Sequence, residues 1–336
     1  MFEFVFKIQL FADAGSVVNT TTDSEMSTAM KTFYDTALLE NARAEAVYGQ
    51  IGKQQALPAH HGKKVEWRKW NTLPAPDALE EGVIPNGKKF GQTAIDVTIA
   101  QYGEYVTVSD MLELHAVDDV ILGATEEVGA AMGKEADLLT RDALLADATV
   151  VQYASAGGTA PSGISGVGKA NLFTPDEVAR AVTTLKKGNA PTIDGKYVAV
   201  IHPSVAYDLR KDEAWVSYHQ YDASTEIFTG EIGELHGVRF VESTNAPVMA
   251  GGASGAKVYA TMIFGRDAFG VVAPEGAGME MIIKSKEQAG GPLNQFSTIG
   301  GKMSHAARVL YPERMVTVYS GSSFSDTDEA NWVDRD

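Results

Sequence analysis

The residues from which a catalytic or metal site would have to be built are seven histidines, many carboxylates and several glycine- and serine-rich runs, with no cysteine at all. Lack of cysteine removes thiol nucleophiles, thiolate zinc sites and disulfides together, and it fits a chain made in a reducing compartment. A serine nucleophile on a strand-to-helix elbow needs Gly-x-Ser-x-Gly. The nearest run, Pro161-Ser162-Gly163-Ile164-Ser165-Gly166, has the residue types without the spacing. Neither a Walker-type phosphate loop nor a Gly-x-Gly-x-x-Gly after a strand occurs, and the glycine-rich GGPLNQFSTIGGK (Gly290 to Lys302) reads as a turn between strands. His60 and His61 are adjacent, so on an extended chain they point to opposite sides and do not converge on one metal ion. His115 with Asp118 and Asp119 reads as a helix start whose acidic groups the helix dipole favours. His202, before Pro203, is expected to cap a strand end by a local hydrogen bond. Nothing assembles nucleophile, base and orienting group, so no catalytic residue, cofactor or metal is assigned and the chain reads as structural.

At 336 residues, 44% hydrophobic and 21% charged, the chain has the composition of a folded protein. Its formal charge is −16, from 28 basic against 44 acidic residues. Such a balance is poorly suited to gripping nucleic acid by counterion release, although a wall that faces DNA without holding it tolerates the charge well. The opening MFEFVFKIQLFADAG is apolar, but Glu3 precedes any basic residue and Lys7 interrupts the run, so it reads better as an amphipathic tail than as a secretory signal. Phe2, Phe4, Phe6, Ile8 and Leu10 alternate as in a tail that docks on another surface. No stretch approaches the roughly 18 apolar residues of a membrane span.

The elements that would position any functional residue follow from periodicity. Thr20 to Gln54 has helical spacing (Met26, Met30, Phe33, Leu38, Val47) without a dense apolar face, as in an arm lying across something larger. VEWRKW and AIDVTIAQYGEYVTVSD read as strands, joined by a long excursion broken by Pro74, Pro76, Gly82, Pro85 and Gly87. A two-stranded arm of that kind is marginal in water unless a third surface covers it. Asp118 to Asp147 carries the longest helical stripe, a rod of roughly 45 Å at 1.5 Å per residue. After the loop Ser155 to Gly168, Thr174-Pro175-Asp176-Glu177 reads as a capping box opening a helix that Lys186, Lys187 and Gly188 close. Strand KYVAVI, helix SVAYDLRKD and the strands VRFVES, KVYATMIFG, MEMIIKS and ARVLYPERMVTVYSG complete an α+β pattern with a mixed sheet. The end, SSFSDTDEANWVDRD, is polar and reads as mobile.

This order of elements, with the wording KKVEWRKWNTLP, LEEGVIPNG, QYGEYVTVSDML, KYVAVIHPSVAYDLRKD and IGELHGVRFVESTNAPV, resembles the major capsid protein of tailed bacteriophages, with the Hong Kong 97-type fold. KIQLFAD resembles the opening of capsid proteins from phages of Gram-positive hosts. The resemblance implies an N-terminal arm (1–55), an extended loop (56–111), a spine helix with the peripheral domain (112–172), an axial domain (173–273), return strands of the peripheral domain (274–321) and a polar C-terminal tail (322–336). It also implies a virion shell subunit assembled in the bacterial cytoplasm into hexamers and pentamers around double-stranded DNA, without sequence-specific DNA binding and without a membrane. A separate scaffolding protein, a portal and a decoration protein are the implied partners. A nanocompartment shell of the same fold, or an α/β enzyme, are the alternative readings. Trp67 and Trp70 stand on a loop too polar and too broken by proline to form its own core. The expectation is that neighbouring copies shelter them, with Lys63, Lys64, Arg68, Lys69, Glu80 and Glu81 setting the register of that contact.

Overall fold

The computed structural model describes residues 46–58, 62–79, 81–82, 84, 86–115, 120–213, 215, 231–274, 278–289, 293–325 and 328–332. The N-terminal arm up to residue 45 and the alternating phenylalanines therefore lie outside the described residues. The first elements are helix α1 (Tyr48–Ile51), strand β1 (Lys53–Leu57), the hairpin strands β2 (Lys64–Trp70) and β3 (Gln92–Thr98), β4 (Ala100–Ser109) and the short helix α2 (Asp110–His115). Helix α3 (Val120–Ala146) and β5 (Val151–Tyr153) follow, then α4 (Pro175–Lys187), β6 (Tyr197–Ile201) and α5 (Pro203–Lys211). Strands β7 (Glu231–Leu235), β8 (Val238–Glu242), β9 (Val248–Met249), β10 (Val258–Phe264) and β11 (Phe269–Pro274) come next. The last are β12 (Met279–Lys284), β13 (Phe296–Val309) and β14 (Met315–Ser320).

Among the described residues these strands make a seven-stranded sheet ordered β5-β14-β10-β6-β8-β7, with β9 on β10, and a five-stranded sheet ordered β1-β11-β13-β12, with β4 on β13. β6 and β10 are buried along their whole length, which explains their unbroken apolar sequences. Helices α4 and α5 cover one face of the larger sheet, burying Val178, Leu185, Val205 and Leu209 against Phe240, Ile263 and Val318. On its other face Met262, Phe264 and Met315 meet Leu144 of α3, Tyr48 of α1, and Phe269.

Helix α3 is 27 residues long, about 40 Å, and packs on the β4-β13-β12 sheet. Val128 and Met132 meet Val108, Met281, Ile299 and Met303 there. The glycines of FSTIGGK, read above as a turn, lie inside β13 instead. A Cβ on Gly301 would stand 2.8 Å from Met132 Cγ and 2.9 Å from Val128 Cγ1. Glycine is used there for close helix–sheet approach, not for chain reversal.

Three further expectations change. Residues Lys53–Leu57, of which Lys53 and Gln54 end the expected arm helix, form a strand parallel to β11; their side chains are mostly exposed, so backbone pairing rather than an apolar face decides the conformation. The capping box at α4 does not form. Thr174 makes no side-chain cap, and the Glu177 carboxylate, buried, accepts from the Ser155 amide and hydroxyl, from Gln152 and from Arg180. Gly188 closes α4 as expected, but the left-handed residue is Asn189 (φ 52°). The C-terminal segment is a strap. Ser322 donates to Ser204 O, Ser323 to Asp208, and Asp328 accepts from Ser204 and Tyr259 at 2.6 Å each. Trp332 packs beside Leu145, Val167 and Met249.

Both ends of the described chain are tied to α3 within four residues. Asp137 accepts from the Val47 and Tyr48 amides at 2.8 Å and from Asn245 Nδ2 at 2.9 Å. Burial raises its carboxyl above the ordinary value, and those hydrogen bonds together with Arg141 counter the rise. Arg141, fully buried, pairs with Asp142 and donates to the carbonyls of Asn245 and Asn331 at 2.9 Å each.

Candidate assembly surface

The hairpin β2–β3 is a two-stranded antiparallel ribbon in unbroken register from Lys64↔Thr98 to Trp70↔Gln92. The alternation of a strand divides β2 into two faces. Val65, Trp67 and Lys69 are half-buried, while Lys64, Glu66, Arg68 and Trp70 are exposed. The two tryptophans are three residues apart and so point to opposite sides. Trp67 finds cover in its own chain, against Gly270 of β11. That contact was invisible in the sequence because the partner is a glycine some two hundred positions away.

Trp70 is 58% exposed and stacks on Phe90, also 58% exposed, with ring centroids 4.4 Å apart and planes 11° from parallel. The stack is possible because the chain re-enters at Asn71, whose amide donates to Gly91 O. That bond brings Phe90 beside the end of β2. Beyond it Leu73, Leu79 and Ile84 project outward, Ile84 at 93% exposure. Phe90 was missed by sequence reasoning; an aromatic just before a strand that must pair with VEWRKW was the available signal.

The charges sort differently. Lys64 pairs with Asp96 at 2.6 Å and Arg68 with Glu66 at 2.7 Å, both on the ribbon itself. Lys69 reaches across to Glu313 at 2.6 Å and stands 4.3 Å over the Tyr311 ring. Burial alone would raise the Glu313 carboxyl, but the hydrogen bond and charge of Lys69 hold it below the ordinary glutamate value. Lys63 and Glu81 are exposed. Glu80 lies outside the described residues. Lys88 pairs with Asp77 at 3.1 Å and bonds Ala75 O, bracing the excursion between the strands.

A stacked aromatic pair and three large aliphatic side chains in water on a thin ribbon make a surface suited to apolar contact with another molecule, and they make no arrangement for chemistry. His202 accepts locally from the Ser204 amide. Among the described residues no group of three or more histidines and carboxylates stands close enough to hold a metal, and no helix is long and apolar enough to cross a membrane.

Residues 92–329 match the family model for phage capsid protein. The chain belongs to this family. It is a capsid shell protein of mixed α+β fold, its place is the virion capsid, and its family is a structural one. The fold is shared with solved capsids at low identity. The capsid protein of cyanophage P-SCSP1u is 16% identical, with a TM-score of 0.61 over 83% of this chain and 89% of that one. That of Ralstonia phage GP4 is 14% identical, with a TM-score of 0.63 over 83% and 88%. A virus-like particle from Pyrococcus furiosus, 12% identical, superposes with a TM-score of 0.52 over 86% of this chain and 99% of that one. No curated protein sequence matches the chain.

Proposed function

We propose that this capsid protein is the major subunit of an icosahedral phage shell around double-stranded DNA, built from hexamers and pentamers in which the β2–β3 ribbon of one copy lies on the next. The observation that carries the reading is the outer face of the ribbon: Trp70, Phe90, Leu73, Leu79 and Ile84 are left largely in water by their own chain. In this reading Lys63, Lys64, Trp67, Arg68, Lys69, Trp70, Glu80 and Glu81 belong to or border the contact. The exposed aromatics supply area, and the charges supply register. The net charge of −16 suits a wall along which packaged DNA slides without being held.

The resemblance of KIQLFAD to phages of Gram-positive hosts supports a place in that branch, with assembly in the host cytoplasm. A separate scaffolding protein, a portal and a decoration protein are the expected partners. No catalysis is assigned. Electron microscopy of the purified protein tests the reading. Closed shells or ring-shaped capsomers are expected, and compact dimers under all assembly conditions would refute it. A nanocompartment shell is separated from a phage shell by its contents, enzyme cargo as against DNA.

A further inference from the structure

We propose that a two-part clasp along β2, ionic at Lys69–Glu313–Tyr311 and apolar where Trp67 meets Gly270, fixes the angle at which the ribbon leaves the subunit. The clasp lies within one chain. Only its consequence for shell geometry rests on the assembly reading above.

Trp67 and Lys69 are two residues apart on a strand and therefore share the face turned toward the body of the subunit. Lys69 Nζ lies 2.6 Å from Glu313 Oε1 and 4.3 Å from the centre of the Tyr311 ring. The Arg314 guanidinium lies 3.8 Å from the centre of the same ring, so the segment 311–314 offers β2 both an anion and an aromatic face already engaged by a second cation.

At the other part, a Cβ on Gly270 would come within 2.8 Å of Trp67 Cζ2. A residue with any side chain would therefore push the indole, and β2 with it, away from β11. The Trp67 Nε1 group is buried without a hydrogen-bond partner. Leaving that donor dry is unfavourable, so the ring is placed by its apolar contact and not by a polar one.

The other strand is not held in the same way. Between the ribbon and the body runs a cleft of about 620 Å³, with Lys69 of the clasp at its β2 side, Thr93, Ile95 and Asp96 of β3 along the ribbon, and Asp147, Arg308 and Pro312 on the body. Asp147 and Arg308 pair with each other at 3.1 Å, and Asp96 is engaged by Lys64 within the ribbon, so among the described residues no ion pair joins β3 to the body there. Further along, the chain is fixed again where β4 pairs with β13, from Ala100↔His305 onward. A ribbon fastened along one strand and undercut along the other has one soft motion, rotation about the fastened strand. Lys69, Glu313 and Gly270 are thus positioning residues for the assembly surface at the ribbon's far end.

Charge exchange separates this from general destabilisation, because both side chains are partly exposed and the double variant keeps both charges while exchanging their places. Hydrogen exchange of the amides of β2 and β3 is measured on the unassembled full chain. K69E and E313K should each raise exchange about three- to tenfold, and K69E/E313K should restore it to within about twofold of the original. G270V should loosen the same amides by displacing Trp67. Unchanged exchange in both single charge variants, or no recovery in the double variant, overturns the clasp. Assembly is read separately by particle diameter in electron micrographs. If the single variants loosen the ribbon and diameters broaden, the clasp and its geometric role both stand. If they loosen it and shells form with unchanged diameter, the fastening stands and its control of shell geometry is overturned.

Discussion

Replacing Trp70 and Phe90 by serine tests whether the exposed stack is an assembly element. Both residues are 58% exposed, and an aromatic side chain carries about 150–250 Å² of surface. Complete cover of what remains in water would be worth about 4–7 kcal/mol per ribbon at about 25 cal/mol per Å². Binding recovers only part of such an area term, because ordering the ribbon opposes it. A loss of about 2–4 kcal/mol per contact is therefore the working expectation, a thirty- to several-hundredfold rise in the concentration needed for assembly. The subunit itself should be nearly indifferent, since the pair buries little against its own chain and surface changes usually stay within about 0.5 kcal/mol. Light scattering against protein concentration reads the assembly threshold, and a thermal melt of the unassembled protein controls for folding. W70S/F90S assembling at the original threshold, with an unchanged melt, would refute the argument that this surface drives association.

Three further outcomes follow from the interior. Gly301→Val should lower the melting temperature by the equivalent of about 1–3 kcal/mol, because α3 cannot retreat from β13 without opening the Met132–Ile299 contacts; thermal denaturation reads it. Arg141→Met should cost about 3–5 kcal/mol by leaving Asp142 and two carbonyls without their buried donor, and it should release the strap, seen as rapid proteolysis near Asn331. His305, bonded to Thr140 at 2.9 Å, is pushed down by burial to about 4. The unfolded chain therefore binds the proton first as pH falls. Stability is full above about pH 6.5 and declines toward pH 4 by up to about 3 kcal/mol, and H305Q should flatten that slope in denaturant titrations.

Much of the architecture was legible because it depends on local periodicity. The stripe of Asp118 to Asp147 became α3, and the alternation around Ile95, Val97 and Val106 became β3 and β4. The ribbon was recognisable because proline and glycine isolate it from any helix or sheet of its own. What escaped depends on partners distant in sequence. Gly301 looks like a turn until Met132 is known to lie above it, and Glu177 looks like a cap until Ser155 is known to be nearer. The two tryptophans were read as one pair seeking one shelter. Their spacing already placed them on opposite faces, but only Gly270 and Phe90 show how differently the two faces are used. The polar end was read as mobile because its sequence has little apolar content. Its anchoring comes from serine hydroxyls and carboxylates meeting partners more than a hundred positions away.

The fastening of Val47 and Asn331 to successive turns of one helix has a practical corollary. The chain passes Val47 and Asn331 at neighbouring points of that helix, so a probe placed at either residue starts from the same small region. Loosening that helix locally would free both residues together, and a probe at one would report on the other.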